Sequence, residues 1–148
     1  MANFTLTELK AELDTDPAGI GYAGLGWPSS GDQEIADALN NPAFTVNHTE
    51  VSTKDMKAQT PFDALDGLAA SEESYYTWLT GGETISVTTE LLQDWAGVGG
   101  TSRWAVADRS LMEPRMVALM QFTGSRAEVL WGEGTSVSAS QVGAAANV

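Results

Sequence analysis

The chain has 148 residues, a length typical of one domain, and 43% of them are hydrophobic, so it can bury a sizeable core. The absence of cysteine excludes disulfides, thiolate metal sites and cysteine nucleophiles, and a single histidine disfavours a histidine-based metal site. A net charge of −13 disfavours nucleic acid and anionic membranes as partners, because an acidic surface repels phosphates.

The charge is unevenly distributed along the chain. Residues 1–100 carry 16 acidic residues and three lysines, whereas residues 101–148 carry four acidic residues and all four arginines. The negative charge therefore belongs to the first two thirds of the sequence, where its ordinary role is solubility.

Helix signals begin close to the N-terminus. Thr5 and Glu8 have the spacing of a capping box, and leucines follow at helical intervals until Asp16-Pro17. The next stretch, AGIGYAGLGWPSSG, has five glycines and a proline. It predicts an ordered loop, Gly19–Gly31, without regular structure but packed on the core by Ile20, Tyr22, Leu25 and Trp27. Ser30 or Asp32 is then expected to cap a second helix.

The middle of the chain predicts a series of short helices. Residues 44–51 alternate weakly and favour either a lone strand or an extended connector. Helices are then expected to begin near residues 54, 61 and 71. The inner faces of the last two are predicted to be Phe62, Leu65 and Leu68 in one helix, and Tyr75, Trp78 and Leu79 in the next.

The last third repeats helix-start signals. One helix is expected to end at Gly97, and another, capped by Thr101, to occupy residues 102–109. The capping-box spacing recurs at Ser110–Glu113, ahead of Pro114, and at Ser125–Glu128. A C-terminal helix follows residue 138, and residues 143–148 are expected to fray.

These patterns together predict an all-α fold. About eight short helices with Gly/Pro-rich ordered loops, and at most one short strand pair, would form a compact single domain over residues 1–148. No apolar stretch approaches the roughly 18 residues of a membrane span, so membrane insertion is not expected.

Five residues of the last third are candidate partner contacts. They are two tryptophans and three arginines: Arg103, Trp104, Arg109, Arg126 and Trp131. Each tryptophan fits either a partner-binding anchor or a core residue. Arg103 and Arg126 follow predicted helix starts, where the helix dipole disfavours a cation. We therefore expect carboxylates of the acidic front part to hold these two arginines, as buried or interface pairs.

No arrangement of residues predicts catalysis, a metal or a cofactor. GIGYAGLG lacks the lysine of a phosphate-binding loop, and the acids around Asp14 and Asp32 lack the spacing of a calcium loop. His48 has no G-x-S-x-G motif beside it in the sequence. A carboxylate pair for glycoside hydrolysis stays open, because 20 acidic residues guarantee many spatial pairs.

Two segments resemble a known family. LKAELDTDPAGIGYAG with IADALNN near the start, and GGTSRWAV with GSRAEVLWGEGTSVSASQV near the end, are similar to small structural or functionally unassigned proteins of long-tailed bacteriophages. The matching segments cover about half of the chain. The sequence departs from the family by inserting GLGWPSSG before the second helix, which leaves that loop unexplained.

The resemblance implies a non-enzymatic virion structural protein, associated with the tail, baseplate or head. It implies no catalytic residues and no cofactor. Its partners would be other virion proteins, met in multiple copies in a symmetric assembly, and its location would be the virion after synthesis in the bacterial host cytoplasm. Two alternatives remain, a cytosolic assembly factor or chaperone absent from the particle, and an acidic-pair hydrolase. Inhibition of the host by nucleic-acid mimicry ranks below both.

Overall fold

The structure is a computed structural model that describes residues 3–148. Over that range the chain is 55% helical, with ten α-helices and two short antiparallel strand pairs. The mostly helical character is confirmed. The fold is not purely all-α, however, because two strand pairs form where at most one was expected.

The first half of the chain contains six helices and two strands. Helices α1 to α3 cover Leu6–Thr15, Tyr22–Leu25 and Asp32–Asn40, and strands β1 and β2 cover Phe44–Asn47 and Glu50–Ser52. Helices α4 to α6 cover Thr53–Ala58, Phe62–Asp66 and Ala70–Leu79.

The second half begins with strand β3, Thr84–Ser86. Helix α7, Thr89–Leu91, continues into a π-helical turn, Leu92–Ala96, and a 3₁₀ turn, Val106–Asp108, leads into α8, Arg109–Met120. Strand β4, Gln121–Gly124, precedes α9, Arg126–Trp131, and α10, Ala139–Ala145. β1 pairs with β4, and β2 pairs with β3.

The described residues divide into two compact units. The terminal unit contains the described residues up to Val46 together with Thr123–Val148, and the central unit contains Asn47–Phe122. The expectation of a single domain over residues 1–148 stays a prediction. No helix within residues 3–148 has both the length and the apolar composition that crossing a bilayer requires.

The terminal unit is built from helices at both ends of the sequence. α3 and α10 pack together; α3 also contacts α2 and α9, and α10 also contacts α1. Leu9, Ile35 and Val142 are fully buried in the shared core. The two capping boxes expected at Thr5 and Ser125 are confirmed, and Ser138 forms a third. Ala145 is buried at the end of α10, so helical order continues into the segment expected to fray.

The glycine-rich loop is held by acids at the end of α1. Glu12 accepts a hydrogen bond from the Tyr22 hydroxyl (2.8 Å), and Asp14 accepts one from the Trp27 indole (2.9 Å). The Asp16 carboxylate accepts the backbone N–H groups of residues 20 and 21. Tyr22 and Trp27 are buried, as expected, whereas Leu25 is exposed and Ile20 is only partly buried. Residues 22–25 form a helical turn instead of irregular loop. The acids at positions 12, 14 and 16 thus have a structural role.

The central unit encloses an aromatic and methionine core. The rings of Trp95 and Trp104 meet edge to face with centroids 5.0 Å apart, and Tyr76 lies 4.7 and 5.1 Å from them. Three methionines of α8, at positions 112, 116 and 120, are fully buried against this cluster. Flexible methionine side chains fill the irregular space around these rings.

Several sequence-based boundaries in the central unit are wrong. Residues 102–105 are irregular where a helix was expected. Helix α8 has already begun at Arg109, so the Ser110–Glu113 sequence does not form a capping box. Pro114 consequently lies inside α8. Phe62, predicted to face inward, is 75% exposed.

Gly31 provides the N-cap of α3, where Ser30 or Asp32 was expected. Its φ of +77° lies in the left-handed region, and a Cβ there would overlap the carbonyl oxygen of Leu25. Gly19 has a similar φ of +68°, but its Cβ would meet no atom within 4 Å. A side chain at Gly19 would therefore cause backbone strain alone, whereas a side chain at Gly31 would cause both backbone strain and steric overlap.

We predict that Gly31→Ala destabilises the protein more than Gly19→Ala. Gly19→Ala should cost about 1–2 kcal/mol, the usual penalty for a left-handed alanine. Gly31→Ala should cost more, because the main chain around residue 25 must also move. Urea unfolding of both variants measures the difference, and equal losses would contradict the packing described for this loop.

Candidate partner-binding surface

The five predicted contact residues divide between the two units. Arg103, Trp104 and Arg109 belong to the central unit, and Arg126 and Trp131 belong to the terminal unit. Their surroundings differ greatly.

Trp104 lies in the core of the central unit. It is fully buried, and its indole N–H donates to the carbonyl oxygen of Trp95 (2.9 Å). Of the two roles that the sequence left open for Trp104, this environment supports the core role. Arg109 is half-buried, and its Nε donates to the Trp104 carbonyl oxygen (2.9 Å). Arg109 therefore supports the segment that carries Trp104.

Trp131 has an intermediate environment in the terminal unit. It is half-buried, and its ring lies 4.5 Å from that of Phe4, against the core of the unit. One part of the ring thus contributes to packing while the remainder stays accessible.

Arg126 forms a buried, two-point ion pair with Glu12. Nε and Nη2 each lie 3.0 Å from a different carboxylate oxygen of Glu12. The Arg126 side chain is 13% exposed and that of Glu12 is 4% exposed. The hydrogen bonds that Arg126 donates to Glu12 raise the pKa of Arg126 more than burial lowers it. From the position of Arg126 at the start of α9, we expected it to pair with an acidic residue from the first two thirds of the chain, and Glu12 is such a residue.

Arg103 is the exposed member of the five. Its Nη1 donates to both carboxylate oxygens of Glu72 (2.9 Å each), and its Nε lies 3.2 Å from Asp94. These hydrogen bonds, that of Glu72 foremost, raise the pKa of Arg103 despite partial burial. The guanidinium carbon also lies 5.0 Å from the centre of the Tyr75 ring, within cation–π range. Arg103 is thereby fixed in place although 40% of its side chain is exposed.

An exposed tryptophan stacks on the same tyrosine that Arg103 covers. Trp78 is 75% exposed, and its ring is stacked at 6.3 Å on that of Tyr75, which lies under Arg103. We call Tyr75, Trp78 and Arg103 the Trp78 surface. It combines two aromatic rings and a guanidinium group, the residue types most enriched among interface hot spots.

The sequence interpretation missed the exposure of Trp78. It placed Trp78 on the inner face of α6, but Tyr76 is the buried aromatic residue of that helix. Two residues apart on a helix means about 200° of rotation, so positions 76 and 78 face opposite sides. Aromatic residues at both positions show that one must be exposed, but the spacing alone does not identify which one.

We predict that Arg126→Met destabilises the protein by roughly 3–5 kcal/mol, because it strands the buried Glu12 carboxylate. The double variant Glu12→Gln/Arg126→Met should regain a large part of that loss, since the amide can still accept from Tyr22. Chemical denaturation of both variants measures this. Arg103→Ala is the matched control, and its partly exposed pairs should contribute only about 1 kcal/mol or less. A loss below about 0.5 kcal/mol for Arg126→Met would contradict a buried pair.

We predict a loss of stability above about pH 10 that depends on Tyr22. Burial, and then the hydrogen bond to Glu12, raises the pKa of the Tyr22 hydroxyl above its usual value. The unfolded chain therefore releases this proton first, near pH 10, and stability falls as pH rises further, by up to about 1.4 kcal/mol per pH unit. Tyr22→Phe should flatten this dependence in urea unfolding between pH 9 and 11. An unchanged slope would contradict the buried hydroxyl.

Comparison with known proteins returned no relative: no family model, no curated protein and no solved structure matches this chain.

Proposed function

We propose that this protein is a non-enzymatic virion structural protein of a tailed bacteriophage, associated with the tail, baseplate or head. It acts through contacts with other virion proteins in a symmetric particle. The two segments that resemble phage proteins support a place in a phage particle. The Trp78 surface supports a function through contacts with other proteins.

The exposure of Trp78 is the observation that carries this proposal. Single exposed apolar residues such as Phe62 are ordinary on protein surfaces, but Trp78 is 75% exposed and stacks on a tyrosine that an arginine covers, which combines the residue types of interface hot spots. The ring stacks on Tyr75, which is covered by an arginine already held by Glu72 and Asp94. Because these side chains are fixed before binding, a partner would lose little conformational entropy by ordering them.

The location of the acidic residues supports a role without catalysis. Within residues 3–148, Glu12 is the one buried charged residue, and both of its carboxylate oxygens are bound by Arg126. The Tyr22 hydroxyl binds it as well. An acidic-pair hydrolase would use a buried carboxylate that is free to take and give a proton. Glu12 instead has its oxygens occupied by structural partners.

Repetition in a particle compensates for a small contact. Several copies, each held by one aromatic–arginine surface, give a combined affinity far above that of a single contact. A symmetric shell, neck or tail supplies this repetition. A small helical protein with one exposed hot-spot surface fits such a role.

We predict that Trp78→Ala lowers recovery of the protein in purified virions roughly tenfold or more, because a hot-spot residue contributes about 2 kcal/mol or more to binding. Mass spectrometry of particles from phage carrying the variant measures recovery. Phe62→Ala is the matched control, since Phe62 is also 75% exposed but lies on α5, outside the Trp78 surface. Both variants should fold normally, because neither removes a buried side chain.

Absence of the unmodified protein from purified virions would contradict the virion role and favour a cytosolic assembly factor. Equal recovery of Trp78→Ala and Phe62→Ala would instead show that the protein joins the particle through a different surface.

A further inference from the structure

Among residues 3–148, no further strand pairs with the outer edge of β3 in the two-stranded β2–β3 sheet. The register places Glu50 opposite Ser86, Val51 opposite Ile85 and Ser52 opposite Thr84. The flanking hydrogen bonds join residue 87 to 49 and residue 53 to 83. In an antiparallel pair the bonded positions alternate, so residues 83, 85 and 87 direct their backbone groups to β2. Thr84 and Ser86 therefore direct theirs away from β2.

The two residues of β3 whose backbone groups point away from β2 are exposed. Thr84 and Ser86 are both exposed, and the sheet to which they belong has two strands only. Their N–H and C=O groups thus form a short template for an additional strand.

A cavity of about 260 Å³ lies beside this strand. Its apolar walls are Tyr75 and Leu79 of α6, Ile85 of β3, and Leu91 of α7. Small-molecule sites usually measure about 300–1,000 Å³, so this cavity has the size for one apolar side chain rather than a whole ligand. An edge strand with a side-chain pocket between it and a helix is the arrangement by which proteins bind extended peptides.

The charges around the cavity select the kind of segment that fits. Glu90 is the one charged residue among those that line it, and neither lysine nor arginine is among them. A basic segment is attracted to this carboxylate. A second copy of this chain, with its net charge of −13, is repelled.

We propose that the groove between α6 and β3 binds an extended segment of a partner protein as a third strand on β3. An apolar side chain of that segment enters the cavity, and lysine or arginine residues flanking it face Glu90. The Trp78 surface is continuous with the groove through Tyr75, which belongs to both. This inference rests on the proposed function, which makes the partner another virion protein. It adds how the partner binds and which residue types its bound segment contains.

The test uses the full chain labelled with ¹⁵N and the capped peptide Thr-Lys-Val-Leu-Val-Lys-Thr, followed by NMR. We expect saturable shifts of the amide signals of residues 84–87 and of Tyr75 and Leu79. Slower solvent exchange of the Thr84 and Ser86 amides on binding is also expected, because the added strand would engage them. The same peptide with both lysines replaced by glutamate should bind more weakly, with a difference that shrinks at high salt.

Ser86→Pro is the discriminating variant. It removes an outward N–H, which an edge strand tolerates, and leaves the bonds to β2 in place. Affinity for the lysine peptide should fall about tenfold, whereas Ser86→Ala, which keeps the N–H, should bind normally. Unchanged signals of Val51 verify the fold of the proline variant. If the proline variant does not fold, the proposal is tested by the solvent exchange of the Thr84 and Ser86 amides in the unmodified chain.

Three results would overturn the proposal. In the first, the lysine peptide causes no saturable shift of the β3 signals. In the second, the peptide does not slow the solvent exchange of the Thr84 and Ser86 amides. In the third, the proline and alanine variants bind the peptide with equal affinity. Association of the chain with itself at β3 without peptide would assign the edge to a second copy instead. Because these measurements use the isolated chain, their outcome is separate from whether the protein is found in virions.

Discussion

The Glu12–Arg126 ion pair is the interaction on which the terminal unit depends. It joins residues 114 positions apart in sequence, one on α1 and one at the start of α9, with two hydrogen bonds of 3.0 Å. Removing one partner would leave the other charge in a site nearly closed to water, which costs far more than an exposed pair contributes. The same carboxylate receives the Tyr22 hydroxyl and so also holds the glycine-rich loop. One buried acid thereby connects the two ends of the chain and the loop between α1 and α3.

The central unit depends on ring packing instead of a buried charge. Trp95, Trp104 and Tyr76 form its centre, and the methionines of α8 fill the space around them. This core fixes α6 with Tyr76 inward and therefore presents Trp78 outward. The exposed aromatic surface is a consequence of how the core is built. The proposed partner contact and the interior packing thus share one helix.

The sequence predicted features that depend on local chemistry. Three such features could be predicted from the sequence. They are the capping boxes at Thr5 and Ser125, the end of α1 near Pro17, and the pairing of Arg126 with an acidic residue from the first two thirds of the chain. Each follows from short-range spacing or from the helix dipole. Features that depend on tertiary packing were not. The sequence did not show which of Tyr76 and Trp78 would be buried. Strands of three or four residues, such as β2 and β3, are too short to display alternation, and the backbone direction of Ser86 follows only from their register.

In the proposed function, the Trp78 surface is the part of this protein that contacts a neighbouring virion protein. The most direct measurement places a photo-crosslinking amino acid at position 78, irradiates assembled particles, and identifies the attached protein by mass spectrometry. The account predicts a crosslink to a different virion protein, and none when the same group replaces Phe62. Efficient incorporation of the labelled chain without any crosslink from position 78 would contradict it.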